Sequence, residues 1–234
     1  MNRLMKKELL DGIEGADGID SAELETSLRE VWQVNRYLGG NPALFVHLKR
    51  MILEIRQDRP IRILDVATGL ADIPLALVRW AERRKLQITV TGIDIHPRIA
   101  QLAADRTKAA GVIRIDTGDG RQLPYEDGSF DIVFSNLALH HMDEDGAVRM
   151  LQEMRRVARI GWVVTDLQRH PAAYGAAKLL ARFVWRSPVT RHDGPLSVLR
   201  SFTVKEADDL LVRAGLHAEV RKHFPFRLAL VGRA

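Results

Sequence analysis

The chain has 234 residues, 46% hydrophobic and 28% charged, which is the balance of a globular domain rather than a disordered chain. It has no cysteine, which excludes disulfides, thiolate catalysis and Cys-ligated zinc, and no metal site is read from the spacing of its histidines and acids. Its 35 basic and 30 acidic residues leave a net +5 scattered in short clusters without aromatic interleaving, so the excess reads as solvated surface. With no signal peptide and no apolar run of about 18 residues, a cytoplasmic protein is expected.

Residues 1–20 are polar and punctuated by glycine, and they are expected to be poorly ordered. Ser21 to Leu38 reads as an amphipathic helix, with Leu24, Leu28, Val31, Trp32 and Val34 at helical spacing. The stretch GGNP at 39–42 breaks it, and Pro42 opens a second helix that runs through Ile55. From residue 61 the pattern alternates. Strand 61–66 leads into a helix from Asp72 to Arg84, strand 88–94 into a helix from Pro97 to Ala110, and strand 112–116 into a loop. Strand 130–136 leads into a helix from Asp143 to Val157, and strand 160–166 follows. Such alternation of apolar strands with helices predicts an α/β fold, a doubly wound, mostly parallel sheet covered on both faces.

The end of the chain changes character. A helix from Pro171 to Trp185 is followed by a polar loop over 186–201, and Thr203 with Glu206 then has capping-box spacing at the start of a helix ended by Gly215. Strands 217–223 and 226–233 are too close in sequence for a crossover and must pair antiparallel. The expected division is an N-terminal segment over 1–58 and a core domain over 59–234, with a helical and loop insertion near 170–200.

Ligands of open α/β sheets bind at the carboxyl ends of the strands. Asp65, Thr68, Gly69 and Asp72 follow the first strand, Asp94 ends the second, Asp119 follows the third, and Ser135 and Asn136 end the fourth. An acid ending the second strand suits ribose hydroxyls. Singly, Asp72 and Asp94 also read as helix caps and Asp119 as a turn residue. A dehydrogenase needs a glycine cradle for pyrophosphate, where this chain has Ala67 and Ala71, and Asp72 would repel phosphate. A ligand with a nucleoside, an ammonium and a sulfonium but no phosphate suits these carboxylates better, and S-adenosylmethionine is such a ligand.

The segments LDVATGLADIP (64–74), VTGIDIHPRIA (90–100), GDGRQLPYEDGSFDIVFSNLALHHM (118–142) and SFTVKEADDLLVRAG (201–215) together resemble a class I S-adenosylmethionine-dependent methyltransferase. The closest flavour is the ubiquinone/menaquinone-type branch that acts on small molecules. The resemblance implies a Rossmann-like sheet of seven strands with an antiparallel last strand, and S-adenosylhomocysteine as product. It implies that Asp65, Ala67, Thr68, Gly69 and Asp72 face the methionine part of the cofactor. Asp94 would bind the ribose hydroxyls, Ile95 would pack on adenine, Asp119 with Gly120 would bond the adenine amino group, and Asn136 would lie near the sulfonium. The N-terminal segment would be a helical lid, with Arg36 or Tyr37 touching cofactor or acceptor. The methyl groups of Ala67 and Ala71 are tolerable if their backbone is not left-handed.

The acceptor side reads less directly. His140, after the fourth strand, and His192, with Asp193 beside it as orienting carboxylate, are the two candidates for a general base. The expected acceptor is small and apolar or aromatic, such as a phenol, quinone precursor or polyketide. A nucleic-acid methyltransferase is disfavoured by SNLA in place of an NPPY-like strand end, and a non-catalytic scaffold by acids at every expected strand end. The stripe Leu179, Leu180, Phe183 and Val184 reads first as core, with a pocket wall or a peripheral membrane contact as the sharper alternatives. The protein is expected to be a monomer or a homodimer.

Overall fold

Strands β1 (Ile61–Val66), β2 (Ile88–Asp94), β3 (Ile113–Thr117), β4 (Phe130–Asn136), β5 (Ala158–Leu167), β6 (Ala218–His223) and β7 (Arg227–Arg233) form one sheet of order β3-β2-β1-β4-β5-β7-β6. The structure, a computed structural model, describes all residues except 10, 12–17, 19, 38 and 57, and all side chains except theirs and those of 21, 22 and 25. β1 to β5 pair in parallel, whereas β7 runs antiparallel to both β5 and β6. The doubly wound sheet with its antiparallel hairpin is thus as the alternation predicts.

The described helices are α1 (Ser21–Tyr37), α2 (Gly40–Glu54), α3 (Asp72–Arg83), α4 (Pro97–Thr107), α5 (Glu144–Val157), α6 (Pro171–Phe183), α7 (Pro188–Arg200) and α8 (Val204–Ala214). Period-two alternation sends the strand side chains to two separate cores. Leu64, Val66, Val133, Trp162 and Val164 pack with Met150, Leu151 and Met154 of α5 and with Leu210 and Leu211 of α8. Ile61, Ile63, Ile132, Phe134 and Val163 pack with Leu44, Leu48 and Ile52 of α2 and with Leu77 and Val78 of α3. Each such side chain contributes about 1.5–3 kcal/mol on burial, so neither face of the sheet can be left uncovered.

Local chemistry sets the helix ends. Asp143 Oδ1 accepts from Gly146 N at 2.7 Å, and α5 carries acids in its first turn and arginines in its last, complementing its dipole. The predicted capping box forms, since Thr203 accepts from Glu206 N while the Glu206 carboxylate accepts from Thr203 N, and Gly215 is left-handed at φ 69°.

Two expectations fail here for identifiable reasons. The segment 186–201, expected as a polar loop, is mostly helix α7. Ser187 Oγ caps it by accepting from Thr190 N at 3.1 Å, and Val189, Leu196 and Val198 are buried. Pro195 in the interior and buried Thr190, Asp193 and Arg200 erase the apolar period that would mark a helix. The second concerns only the described part of residues 1–20: Leu10, 12–17 and Ile19 lie outside the described residues, but Arg3, Leu4, Leu9 and Asp11 are tied to the body by polar contacts. Arg3 donates to the carbonyls of Arg200 and Met142, both at 2.6 Å, and its guanidinium sits 3.8 Å from the Phe202 ring centroid. Leu4 N donates to Leu199 O at 3.1 Å, and Leu9 N to Asp193 Oδ1 at 2.9 Å. Hydrogen bonds and charge hold this segment, and neither leaves a hydrophobic pattern.

His47 on α2 and His223 at the end of β6 meet with their Nε2 atoms 2.9 Å apart, one donating and the other accepting. Burial, then the facing His223 with Arg221 and Arg50, lowers the His47 pKa to about 4, and burial with Arg221 lowers that of His223. The unfolded chain then binds more protons below about pH 6.5, so this stabilisation is full above that pH and is lost as pH falls toward 4. Urea melts are expected to show that the wild type loses about 1–2 kcal/mol more than His47→Gln between pH 7 and pH 4. Equal losses would remove the histidine pair from the acid sensitivity.

Candidate active site at the carboxyl ends of the strands

The turn after β1 is built on two buried carboxylates. Asp65 Oδ2 accepts from Thr68 Oγ1 at 2.7 Å, and Thr68 N donates across to Ile93 O at 3.1 Å, which fastens the turn to β2. Asp94, ending β2, accepts from Gly69 N at 2.9 Å through Oδ2 and from His96 N at 3.0 Å through Oδ1. Each of its oxygens keeps a second lone pair. Burial raises the pKa of both acids, well above the usual range for Asp65, where the neighbouring Asp94 adds to the effect. Two carboxylates held in poor solvent beside each other favour a cation or hydroxyl donors as their neighbour.

The conformation of this turn corrects one expectation. Ala67 at φ 60° and Ala71 at φ 57° are both left-handed, as is Leu137 at φ 61° just after β4. Each costs about 1–3 kcal/mol relative to a relaxed backbone, so strain is collected at the strand ends. Gly69, also left-handed at φ 54°, has open space on its Cβ side, with nothing within 4 Å. Asp72 is the first residue of α3 rather than its cap, which is Ala71 with no side-chain bond, and its carboxylate pairs with Arg106 at 2.8 Å.

The remaining predicted residues fall on the same edge of the sheet, with one exception. Ile95 follows Asp94 and is 46% exposed, free to cover a flat ligand. Asp119 is held by Arg121, whose guanidinium and backbone N–H keep its pKa below the usual range. Gly120 allows this loop to close on β1, since a Cβ there would lie 2.6 Å from Val66 Cγ1. Asn136 Oδ1 accepts from Thr165 Oγ1 at 2.7 Å, leaving its amide N–H groups as donors. Arg36 is exposed in the last turn of α1, its guanidinium 5.6 Å from the Tyr37 ring centroid, and no contact among the described residues joins it to the strand ends.

Both histidine candidates have a carboxylate. His140 lies in a single helical turn (Leu139–His141) after β4 and is 3% exposed. Its Nδ1 is 2.6 Å from Asp166 Oδ1 at the end of β5, and its backbone N donates to Asp166 Oδ2 at 2.9 Å. Burial pushes the Asp166 pKa up, but His140 and the N–H groups of Leu167 and His140 outweigh it and hold the acid below its usual range. His192, in helix α7 rather than a loop, has Nδ1 2.7 Å from Asp193 Oδ1, the same oxygen that accepts from Leu9 N. Sequence reasoning passed over Asp166, although it ends a strand as Asp94 does. It also missed Glu8 and Arg200, for which no local pattern exists.

A doubly wound sheet with an antiparallel final hairpin is also the fold of solved methyltransferase structures. The chain aligns over 92% of its length with the structure of an S-adenosylmethionine-dependent methyltransferase from Aquifex aeolicus, covering 98% of that chain at a TM-score of 0.63 and 15% identity, a likeness of fold. Residues 63–161 match the family described as a methyltransferase domain. A demethylmenaquinone methyltransferase of Deinococcus radiodurans is 32% identical over 133 residues, 56% of this chain and 53% of that protein. An ajmaline N-methyltransferase of Rauvolfia serpentina is 31% identical over 139 residues, 56% of this chain and 45% of that protein. The chain spans about half the length of the curated relatives it matches.

S-adenosylmethionine fits the residues present. The open side of Gly69 leaves room against the turn, Asp94 has lone pairs for hydroxyls, and the carboxylate set suits a ligand that brings positive charge and no phosphate. Because glycine adopts the left-handed region freely, Ala67→Gly and Ala71→Gly are each expected to stabilise the fold by about 0.5–1 kcal/mol in chemical melts. Destabilisation by either would show that the alanine methyl is needed for packing.

Proposed function

We propose that the chain transfers a methyl group to a small apolar or aromatic acceptor, a phenol, quinone precursor or polyketide. The observation that carries this reading is the junction of β1 and β2, where Gly69 N–H and Asp94 meet at 2.9 Å beside buried Asp65. When bound, S-adenosylmethionine supplies an electrophilic methyl group. Asp94 would accept from its ribose hydroxyls, Ile95 would cover the adenine, and Asp119 with Gly120 would meet the adenine edge. Asp65, Ala67, Thr68, Gly69 and Asp72 would hold the methionine end, and Asn136 would line the approach to it. The N-terminal segment, through Arg36 or Tyr37, would act as a lid.

Of the two His–Asp pairs, burial favours His140 as the general base. Asp166 holds Nδ1, which orients the ring and leaves Nε2 to take the proton that the acceptor loses as its bond to methyl forms. The His192–Asp193 pair is the second candidate, with His192 more exposed and Asp193 shared with Leu9. The acceptor class is supported by the demethylmenaquinone methyltransferase among the relatives and by an apolar face on α6. There Leu179 and Phe183, with Val184 just past the helix end, are 61%, 73% and 60% exposed beside Lys178 and Arg182, a composition suited to peripheral membrane contact. No described helix is long and apolar enough to cross a membrane.

Calorimetric titration with S-adenosylhomocysteine is expected to give micromolar binding that Asp94→Ala weakens at least tenfold. No binding to the wild type would favour a scaffold role, and salt-dependent binding to RNA at physiological ionic strength would favour a nucleic-acid substrate. With an accepted substrate, His140→Ala is expected to lower kcat by about 10²–10⁴ while leaving S-adenosylhomocysteine affinity within about threefold. A loss of that size in His192→Ala instead would move the base to α7.

A further inference from the structure

We propose that Glu8, His140 and His141 form a binding site for a divalent first-row transition metal ion of the zinc type. Glu8 belongs to the N-terminal segment, whereas the histidines belong to the turn after β4, and the fold brings one ligand atom from each within 4.8 Å of the others. Glu8 Oε1 lies 3.9 Å from His140 Nε2, and Glu8 Oε2 lies 3.8 Å from His141 Nδ1. Metal–ligand bonds of about 2.0–2.2 Å put neighbouring ligand atoms roughly 3.3–3.6 Å apart in a tetrahedral site, so each Glu8–histidine pair must close by roughly half an ångström.

Two further features distinguish the cluster from a chance meeting of polar groups. Asp166 lies 2.6 Å from His140 Nδ1, and a carboxylate behind a histidine orients an imidazole ligand and raises its basicity. For His140 it leaves Nε2, the atom facing Glu8, as the free lone pair. Asp11 lies 2.6 Å from His141 Nδ1, the same nitrogen that faces Glu8 Oε2, so a metal at that nitrogen displaces the Asp11 hydrogen bond. Separately, Glu8 Oε1 is buried without a hydrogen-bond partner, on a side chain only 3% exposed. A carboxylate oxygen left so is costly, and a bound cation removes that cost.

Arg200 is the opposing charge, its Nε 3.6 Å from Glu8 Oε1. Its donors are already engaged by the carbonyls of Lys6, His140 and His141 and by the Asp11 carboxylate. Around the histidines stand the carboxylates of Glu8, Asp11 and Asp166, and the Asp193 charge also acts on Glu8. Arg3 and Arg227 add their charges at Asp166 and offset part of this set, which leaves the unpartnered Glu8 Oε1 as the oxygen a dication would neutralise. Two imidazoles with one carboxylate select zinc, cobalt, nickel or ferrous iron over magnesium and calcium, which prefer all-oxygen sites. A metal here would fasten the N-terminal segment across the turn after β4. It would also occupy the His140 lone pair that the proposed base needs, so metal-loaded and base-competent forms exclude each other.

The test uses the full chain after chelator treatment, with zinc followed by calorimetry and cobalt by its visible absorption. The expected result is one zinc per chain with a Kd of micromolar or below, and a cobalt spectrum of direct coordination. Glu8→Gln, which keeps shape, and His141→Ala are each expected to weaken zinc binding at least tenfold while circular dichroism shows the fold intact. Absence of binding, or wild-type affinity in Glu8→Gln, overturns the proposal and leaves the cluster as a charge network. Neither readout uses cofactor or turnover, so the outcome is separate from the methyl-transfer reading.

Discussion

Five strands running in parallel present all their carboxyl ends on one edge of the sheet, and the chemistry of this protein depends on that constraint. A strand end is where backbone groups leave the ladder and must find other partners. Asp94 meets the N–H groups of Gly69 and His96, Asp166 those of Leu167 and His140, and Asp65 the hydroxyl of Thr68. The acids that close these ends are therefore brought side by side without any contact designed between distant pieces of chain. Left-handed Ala67, Ala71 and Leu137 fall on the same edge, so the sheet's two apolar cores sustain strain where ligand must approach.

Around this edge the structure is held by charge rather than by hydrophobic packing. Arg200 is 2% exposed and gathers the carbonyls of Lys6, His140 and His141 together with Asp11. One side chain at the end of α7 thereby fixes the turn after β4 and the N-terminal segment at once. Removing a partner from such a buried set leaves an uncompensated charge, which is why the set acts as a unit.

The two His–Asp pairs illustrate how placement converts similar sequence into different chemistry. In His192–Asp193 the partners are adjacent in the chain and the ring is more than a third exposed. In His140–Asp166 they come from successive strand ends and both are almost wholly buried. Exclusion of water from the second pair strengthens its hydrogen bond and fixes the orientation of its ring.

Much of this was written locally. β1, β2 and β4 begin and end where the apolar runs do, the Thr203–Glu206 box caps α8, and the short gap between β6 and β7 dictates their antiparallel pairing. The strand-end acids were legible for the same reason, since secondary structure alone puts them on one edge. Helix α7 was not, because buried Thr190, Asp193 and Arg200 are satisfied by residues far away in sequence and so break the periodicity that local reading relies on. Nor could the chain show that Ala67 and Ala71 are left-handed, a conformation imposed by the pairing of the turn with β2 against their own preference. Short-range pattern marked the strands, the helices between them and the acids at the strand ends, while the resemblance supplied the seven-stranded sheet and the cofactor. The contacts of Asp166 with His140 and of Glu8 with both histidines were decided only by tertiary structure, because they join residues that no local rule relates.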